Sequence, residues 1–337
     1  MSFRLGYVKT IGIVNNGGNG RGFTNPCDLV LSKDQRIITL NRSSLELKRG
    51  ARALRICSWD EDFLGEAQYG GGEGDGEYTL PTAMAFDRRE RLYVTDEYLH
   101  RISIYDSNLL FLDKWGLYGS GPGELDGPAG IVVDSQDYVY ITDQNNHRVQ
   151  KFTIDGEYIL EWGAEGQGAG QFNMPWGITL DREGHVYVAD WRNDRIQKFT
   201  SEGKFLDSFG HSGEGYGEFH RPSSVALDDQ GYIYVADWGN ERVQVLAPDG
   251  GFKVVLRGQA TVSKWAQEFF DSNPDEVGPR AISNLIPDLP EHLDTPSQIS
   301  AQTEPYFWGP VSVTVDGENR LYVTETNRHR VQIYQRL

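Results

Sequence analysis

Short stretches of alternating apolar and polar residues recur along this chain, each opened by a proline and closed by an aspartate. Pro81-Thr82-Ala83-Met84-Ala85-Phe86-Asp87 returns as Pro128-Ala129-Gly130-Ile131-Val132-Val133-Asp134, then from Pro175 to Asp181 and from Pro222 to Asp228. These four prolines stand 47 residues apart; a fifth copy starts at Pro310 and a divergent sixth at Pro26. Within each unit a polar turn leads to a β-rich strand such as Tyr187-Val188-Ala189-Asp190 and a tight polar loop. A third strand opens on arginine (Arg195-Ile196-Gln197-Lys198-Phe199), and a fourth ends in an aromatic-Gly step such as Trp162-Gly163 or Phe209-Gly210. Period-two strands separated by Gly, Asp and Asn turns read as antiparallel sheet. Four of them in a unit of about 40 to 50 residues make one propeller blade. The pattern predicts an all-β, six-bladed β-propeller occupying residues 1–337 as a single domain.

The ends of the chain fit the same pattern. After Pro310 only three strands precede Leu337, while Leu5 to Gly12 reads as a fourth strand and its loop. Closure of the ring by the N-terminal strand completing the last blade removes two sheet edges.

Two places break the repeat. Pro222 and Pro310 are 88 residues apart, 41 more than the usual 47. In this stretch Val262, Trp265, Ala266 and Phe269 fall at i, i+3, i+4 and i+7, an amphipathic helix. Thr261 or Ser263 caps its start, Ser272-Asn273-Pro274 ends it, and a second short helix is expected near Pro279 to Asn284, with the rest irregular through Trp308. The other break runs from Leu40 to Arg55 and carries Asn41, Arg42, Lys48, Arg49 and Arg52. In an up-and-down blade both loop classes share one face, so residues 257–309 are expected to form a helical lid over the channel mouth.

Composition narrows the function. The chain is 38% hydrophobic and 12% aromatic, enough for a sizeable core, and its net charge of −17 opposes a nucleic-acid partner. Cys27 and Cys57 make neither a disulfide framework nor a CxxC site. No signal peptide or membrane-length apolar run is seen, so the expectation is a soluble, cytoplasmic protein with no membrane partner.

Candidate chemistry lies where one unit departs from the others. Trp59, Trp115 and Trp162 sit in strand motifs and are assigned to the core. Trp176, Trp191, Trp238, Trp265 and Trp308 fall in loops or the lid and suit an apolar or aromatic ligand. Asp28, Glu97, Tyr98, Arg192 and His220 are unique to their units and are the acid/base candidates; Arg42, Asn327 and Arg328 join the tryptophans as substrate-binding candidates. By contrast, His100, His147 and His329 share a slot with Asp194 and Glu241, and Asp96, Asp143, Asp190, Asp237 and Glu325 share another. Both slots read as framework. Gly17 to Gly22 lacks the Lys-Ser/Thr of a phosphate loop. No metal site or cofactor is assigned.

The runs Asp143-Gln144-Asn145-Asn146-His147-Arg148-Val149-Gln150-Lys151-Phe152, Asp237-Trp238-Gly239-Asn240-Glu241-Arg242-Val243-Gln244-Val245-Leu246 and Asn327-Arg328-His329-Arg330-Val331-Gln332-Ile333-Tyr334 resemble the NHL repeat family. The resemblance spans nearly the whole chain and implies the propeller architecture, not an activity. The scaffold is also similar to that of peptidyl-α-hydroxyglycine α-amidating lyase, which holds zinc with histidines from several blades. Here the residues after the prolines are Cys27, Thr82, Ala129, Trp176, Ser223 and Val311, so that metal site is not carried over. Gluconolactonase-like propellers hold a divalent ion with carboxylates and amides; Asp28 and Asn41 do not complete such a set. The leading expectation is a small-molecule-binding propeller, extended to metal-independent hydrolase, lyase or isomerase chemistry. The alternative is a protein-interaction scaffold using the same face.

Overall fold

The computed structural model describes residues 3–15, 20–42, 54–67 and 71–337. β1 (Leu5–Ile11) precedes the first complete blade. Blade 1 is β2–β5 (Pro26–Leu31, Ile37–Asn41, Leu54–Cys57, Phe63–Ala67), and blade 2 is β6–β9 (Pro81–Phe86, Leu92–Asp96, Arg101–Tyr105, Phe111–Trp115). Blade 3 is β10–β13 (Pro128–Val133, Tyr138–Asp143, Arg148–Thr153, Tyr158–Trp162), and blade 4 is β14–β17 (Pro175–Leu180, Val186–Asp190, Arg195–Phe199, Phe205–Phe209). Blade 5 is β18–β21 (Pro222–Leu227, Ile233–Asp237, Arg242–Leu246, Phe252–Leu256). Blade 6 is β22–β24 (Pro310–Val315, Arg320–Glu325, Arg330–Arg336), completed by β1 in the order β1-β24-β23-β22. These strands pair antiparallel with one another, and β1 pairs with β24 from Leu5 opposite Arg336 to Ile11 opposite Val331.

The apolar faces of these sheets are buried in six clusters, one at each junction between neighbouring blades. Trp162 is buried and Trp115 and Trp59 are partly buried against these clusters, as the sequence predicted. The repeated polar residues hold the frame. Asp237, fully buried, accepts from His220 N at 2.7 Å, Asn240 Nδ2 at 2.9 Å and Arg242 Nε at 2.6 Å. Arg242 in turn donates to the carbonyls of Glu214, Gly215 and Glu218. Blade 1 departs from this: Asn41 takes the aspartate's place, accepting from Thr24 N at 2.9 Å. The histidine slot is framework too. Nδ1 of His100, His147 and His329 accepts a backbone N–H from the next blade's incoming loop, at 3.0, 3.1 and 2.9 Å. Asp194 and Glu241 do the same for Arg221 N and Gly309 N. That role needs a neutral imidazole, and burial holds His329 below the usual imidazole range.

The 257–309 insertion contains α1 (Lys264–Ser272), α2 (Pro274–Ile282) and α3 (Pro296–Gln302). Ser263 caps α1 as expected, its Oγ accepting from Ala266 N at 3.1 Å. α1 ends at Ser272, where the sequence placed its stop, and Pro274 is also the first residue of α2, where its missing N–H costs nothing. α3 was read as irregular chain; Thr295-Pro296, a cap followed by proline, is the signal for it. No helix among the described residues is long and apolar enough to cross a membrane.

α1 lies across the seam between blades 6 and 1. In blades 3, 4 and 5 the turn before the outer strand carries a left-handed glycine packed on the previous blade's last aromatic. A Cβ at Gly156 would come within 2.6 Å of Trp115, and one at Gly203 within 2.6 Å of Trp162. Blade 1 has Glu61 there, at φ 62° and almost wholly buried. Its carboxylate accepts from Gly12 N at 2.7 Å and from Lys264 N, the first residue of α1, at 2.6 Å. Ser263 Oγ donates to Gly12 O at 2.8 Å, and Trp265 fills the seam cluster beside Phe23, ring centroids 5.6 Å apart.

Candidate functional site

We call upper the face that carries the loops between blades and those between second and third strands. The candidate site is the axial mouth on this face, and register builds it as two stacked rings. The residue after each second strand forms the outer ring: Arg42, Glu97, Gln144, Trp191, Trp238 and Thr326. The residue after each opening proline forms the inner ring: Cys27, Thr82, Ala129, Trp176, Ser223 and Val311. A cavity of about 560 Å³ sits here, walled by Arg42, Trp191, Trp238 and Thr326 from the first ring and by Cys27, Trp176, Ser223 and Val311 from the second. Asn25, Leu80 and Asn327 complete it.

The wall has two unlike halves. On blades 4 and 5 three indoles form an arc, Trp176 and Trp191 at 5.7 Å between centroids and Trp191 and Trp238 at 6.5 Å. On blades 1 to 3, Arg42 pairs with Glu97, whose other oxygen accepts from Gln144 Nε2 at 3.2 Å. Below the mouth runs the axial channel, a space of about 230 Å³ lined by the inner strands. Among the residues lining it, Asp28 alone is ionisable besides Cys27. Asp28 Oδ1 accepts from Ser312 Oγ and Oδ2 from Met84 N, both at 2.7 Å, so the carboxylate ties blade 1 to blades 6 and 2. Burial pushes its pKa up to about 6, with those two hydrogen bonds opposing the rise. At the equivalent position of blade 3 stands Gly130, where a Cβ would come within 2.4 Å of Trp176 O, so β10 and β14 approach too closely there for a side chain.

Five of the candidate binding residues line the mouth together: Arg42, Trp176, Trp191, Trp238 and Asn327. Glu97 backs them through Arg42. The others lie elsewhere. Trp265 is 3% exposed in the seam cluster, because α1 needs an apolar anchor there. Tyr98 points away into a shallow groove with Glu73, His100 and Tyr118. His220 is exposed beside Asp194 and Gly239. Arg328 lies over Trp308 at 5.4 Å and donates to the carbonyls of Ser300 and Ala301, which ties both to the base of α3. Arg192 lies over Trp191 at 5.5 Å, outside the cavity wall. Asn25, Cys27, Leu80, Ser223, Val311 and Thr326 were missed; Asn25 and Leu80 stand in incoming loops, Cys27, Ser223 and Val311 directly follow opening prolines, and Thr326 is found only by counting one residue past the second strand.

The expected lid is not a roof. No residue of 257–309 lines the mouth cavity among the described residues. Glu61 and the seam draw α1 outward, and α3 packs on the Trp238–Asn240 turn. Lys48, Arg49 and Arg52 of the other excursion, and Gly17 and Gly18 of the glycine-rich stretch, lie outside the described residues. One group among the described residues has metal-ligand atoms within 4.8 Å of one another, Asp181, Glu183 and His185. It stands at the lower face, and Asp181 is already held by His185 Nδ1 at 2.8 Å and Lys198 Nζ at 3.2 Å.

Ring closure, six four-stranded sheets and a mouth at the axis define a six-bladed β-propeller. The NHL repeat matches residues 125–152, 172–199, 219–246 and 307–334, so four of the six blades carry NHL repeats. No curated protein matches the sequence significantly. Among solved structures it is similar to a Bacteroides thetaiotaomicron protein of unknown function (TM-score 0.64, 15% identity, covering 100% of this chain and 76% of that one). It is also similar to a catalytically inactive virginiamycin B lyase from Staphylococcus aureus with quinupristin (TM-score 0.54, 12% identity, 99% of both chains). A third likeness is to the nidogen/laminin complex (TM-score 0.51, 16% identity, 68% of this chain and 79% of that one). At these identities the likeness is one of fold.

Proposed function

We propose that the protein binds a small apolar or aromatic molecule at the axial mouth. The observation that carries this reading is the cavity of about 560 Å³ with three indoles along one wall, a size and character suited to a drug-sized ligand. The propeller lyase crystallised with quinupristin gives a precedent for small-molecule chemistry on this scaffold. Any turnover here falls to Asp28, the half-buried carboxylate below the mouth, by proton transfer of hydrolase, lyase or isomerase type. A cytoplasmic location belongs to the same reading and is supported by two free, buried thiols, Cys27 and Cys57.

Titration of the protein with planar aromatic probes is expected to quench tryptophan fluorescence. Trp176→Ala and Trp238→Ala are each expected to weaken probe binding at least about fivefold with the melting temperature little changed, since a buried stacking contact contributes on the order of 1 kcal/mol. Undiminished binding in both variants would overturn the assignment of the mouth.

A second reading, a protein partner, is favoured by one feature. The insertion exposes Phe269, Val277, Ile282 and Ile286, with Ile282 89% exposed. A partner seated there would be lost in Ile282→Asp with probe binding at the mouth intact.

Asp28 also gives a pH prediction. Its folded value of about 6 lies above the ordinary 3.8, so the folded chain holds this proton more tightly than the unfolded one. Its contribution is therefore fully present below about pH 4 and lost as pH rises through 6. Asp28→Asn removes the dependence. Relative to the parent, the variant should gain about 2 kcal/mol in unfolding free energy between pH 4.5 and pH 8. Parallel urea-denaturation profiles at the two pH values would contradict this.

A further inference from the structure

We propose that the ligand of the mouth is an anionic amphiphile, an apolar or aromatic body bearing a carboxylate, sulfonate or phosphate-type group, and that Arg192 and Arg221 receive its anion. This rests on the mouth being a small-molecule site and adds the chemical class of what it takes.

The argument starts from how the arginines are used. Those of the repeat frame, such as Arg148 and Arg242, are spent on a buried aspartate and loop carbonyls. Arg42 at the mouth is matched by Glu97. Arg192 and Arg221 are different: both are exposed, and neither guanidinium has an acidic partner within salt-bridge distance among the described residues. Yet both converge on one ring, their Cζ atoms 5.5 and 5.1 Å from the centroid of Trp191. That ring is part of the cavity wall.

Sequence explains the convergence. Arg192 follows Trp191 in the loop after the second strand of blade 4, and Arg221 precedes Pro222 at the start of blade 5. The left-handed backbone of Arg221, φ 52°, turns it back toward blade 4, where its N–H is taken by Asp194 at 2.6 Å. The Asp194 carboxylate is occupied by that N–H and stands 4.0 Å from His220 Nδ1. Each guanidinium is thus positioned by the indole with its N–H donors unspent, an arrangement suited to bidentate capture of an oxyanion. In a chain of net charge −17, two unmatched cations on an indole of the cavity wall select for an anion against the field of the whole protein.

A matched pair of fluorescent probes tests this: 8-anilinonaphthalene-1-sulfonate and its uncharged counterpart N-phenyl-1-naphthylamine. The sulfonate is expected to bind at least tenfold more tightly than the neutral probe despite the protein's acidity. The double variant R192Q/R221Q should lose about tenfold in affinity for the sulfonate, with the neutral probe and the thermal transition unchanged. Equal affinity for the two probes, or sulfonate binding unaltered in the double variant, would overturn the anion assignment and leave the site standing. Neither probe binding, or both binding undiminished in Trp238→Ala, would overturn the site itself.

Discussion

Deletion of residues 1–14 is expected to abolish cooperative folding. The lost segment contains β1, which supplies the outer strand of blade 6. Ile11 is fully buried in the seam cluster, and Phe3, Leu5 and Tyr7 are partly buried against the neighbouring one. One full and three partial burials of this kind contribute about 5 kcal/mol. Net stabilities run from about 5 to 15 kcal/mol, so the apolar loss alone consumes much of it. The backbone of β24 would also become a bare sheet edge, and Gly12 N would leave the Glu61 carboxylate that anchors α1. Circular dichroism should show no cooperative melt, or one lowered by at least about 15 °C. Adding a peptide of residues 3–15 in trans should restore part of it. A transition within about 5 °C of the full chain would show that the ring closes without its N-terminal strand.

Asp237→Ala should be the most damaging single substitution in the frame. It leaves Arg242, 2% exposed in its side chain, without its carboxylate, and orphans His220 N and Asn240 Nδ2. Breaking one side of a buried ion pair costs about 3–5 kcal/mol. Blade 1 carries an amide in this slot, Asn41, which still accepts the incoming loop's N–H from Thr24 at 2.9 Å. Asp237→Asn combined with Arg242→Leu should therefore be less harmful than the sum of the single changes, with a coupling of about 2 kcal/mol in urea denaturation. Strict additivity would mean that aspartate and arginine act independently.

The ring was legible from the sequence because one unit of fixed length repeats, and because the three strands after Pro310 needed a fourth that only Leu5–Ile11 could supply. The buried polar slots were legible for the same reason: a residue that occurs in every blade serves every blade. Half of the mouth was legible too, since Trp176, Trp191, Trp238 and Arg42 occupy loop positions that topology sends to one face. Topology does not say which way along that face an insertion runs. Here the direction is set by Glu61, whose carboxylate captures the start of α1. The sign of this was present, an acidic residue where blades 3, 4 and 5 have Gly156, Gly203 and Gly250, but its meaning depends on a partner 203 residues away. Trp265 was misassigned for the same reason, as an indole in an amphipathic helix serves a seam or a ligand equally well by pattern.

The closing strand also settles where the chain's ends emerge. Leu337 N donates to Arg4 O at 3.1 Å, so Arg4 and Leu337 lie side by side beneath blade 6, at the far end of the strands from the tryptophan arc. Tethering the protein through either end, to a bead, a sensor chip or a fused domain, therefore presents the opening outward to the solution.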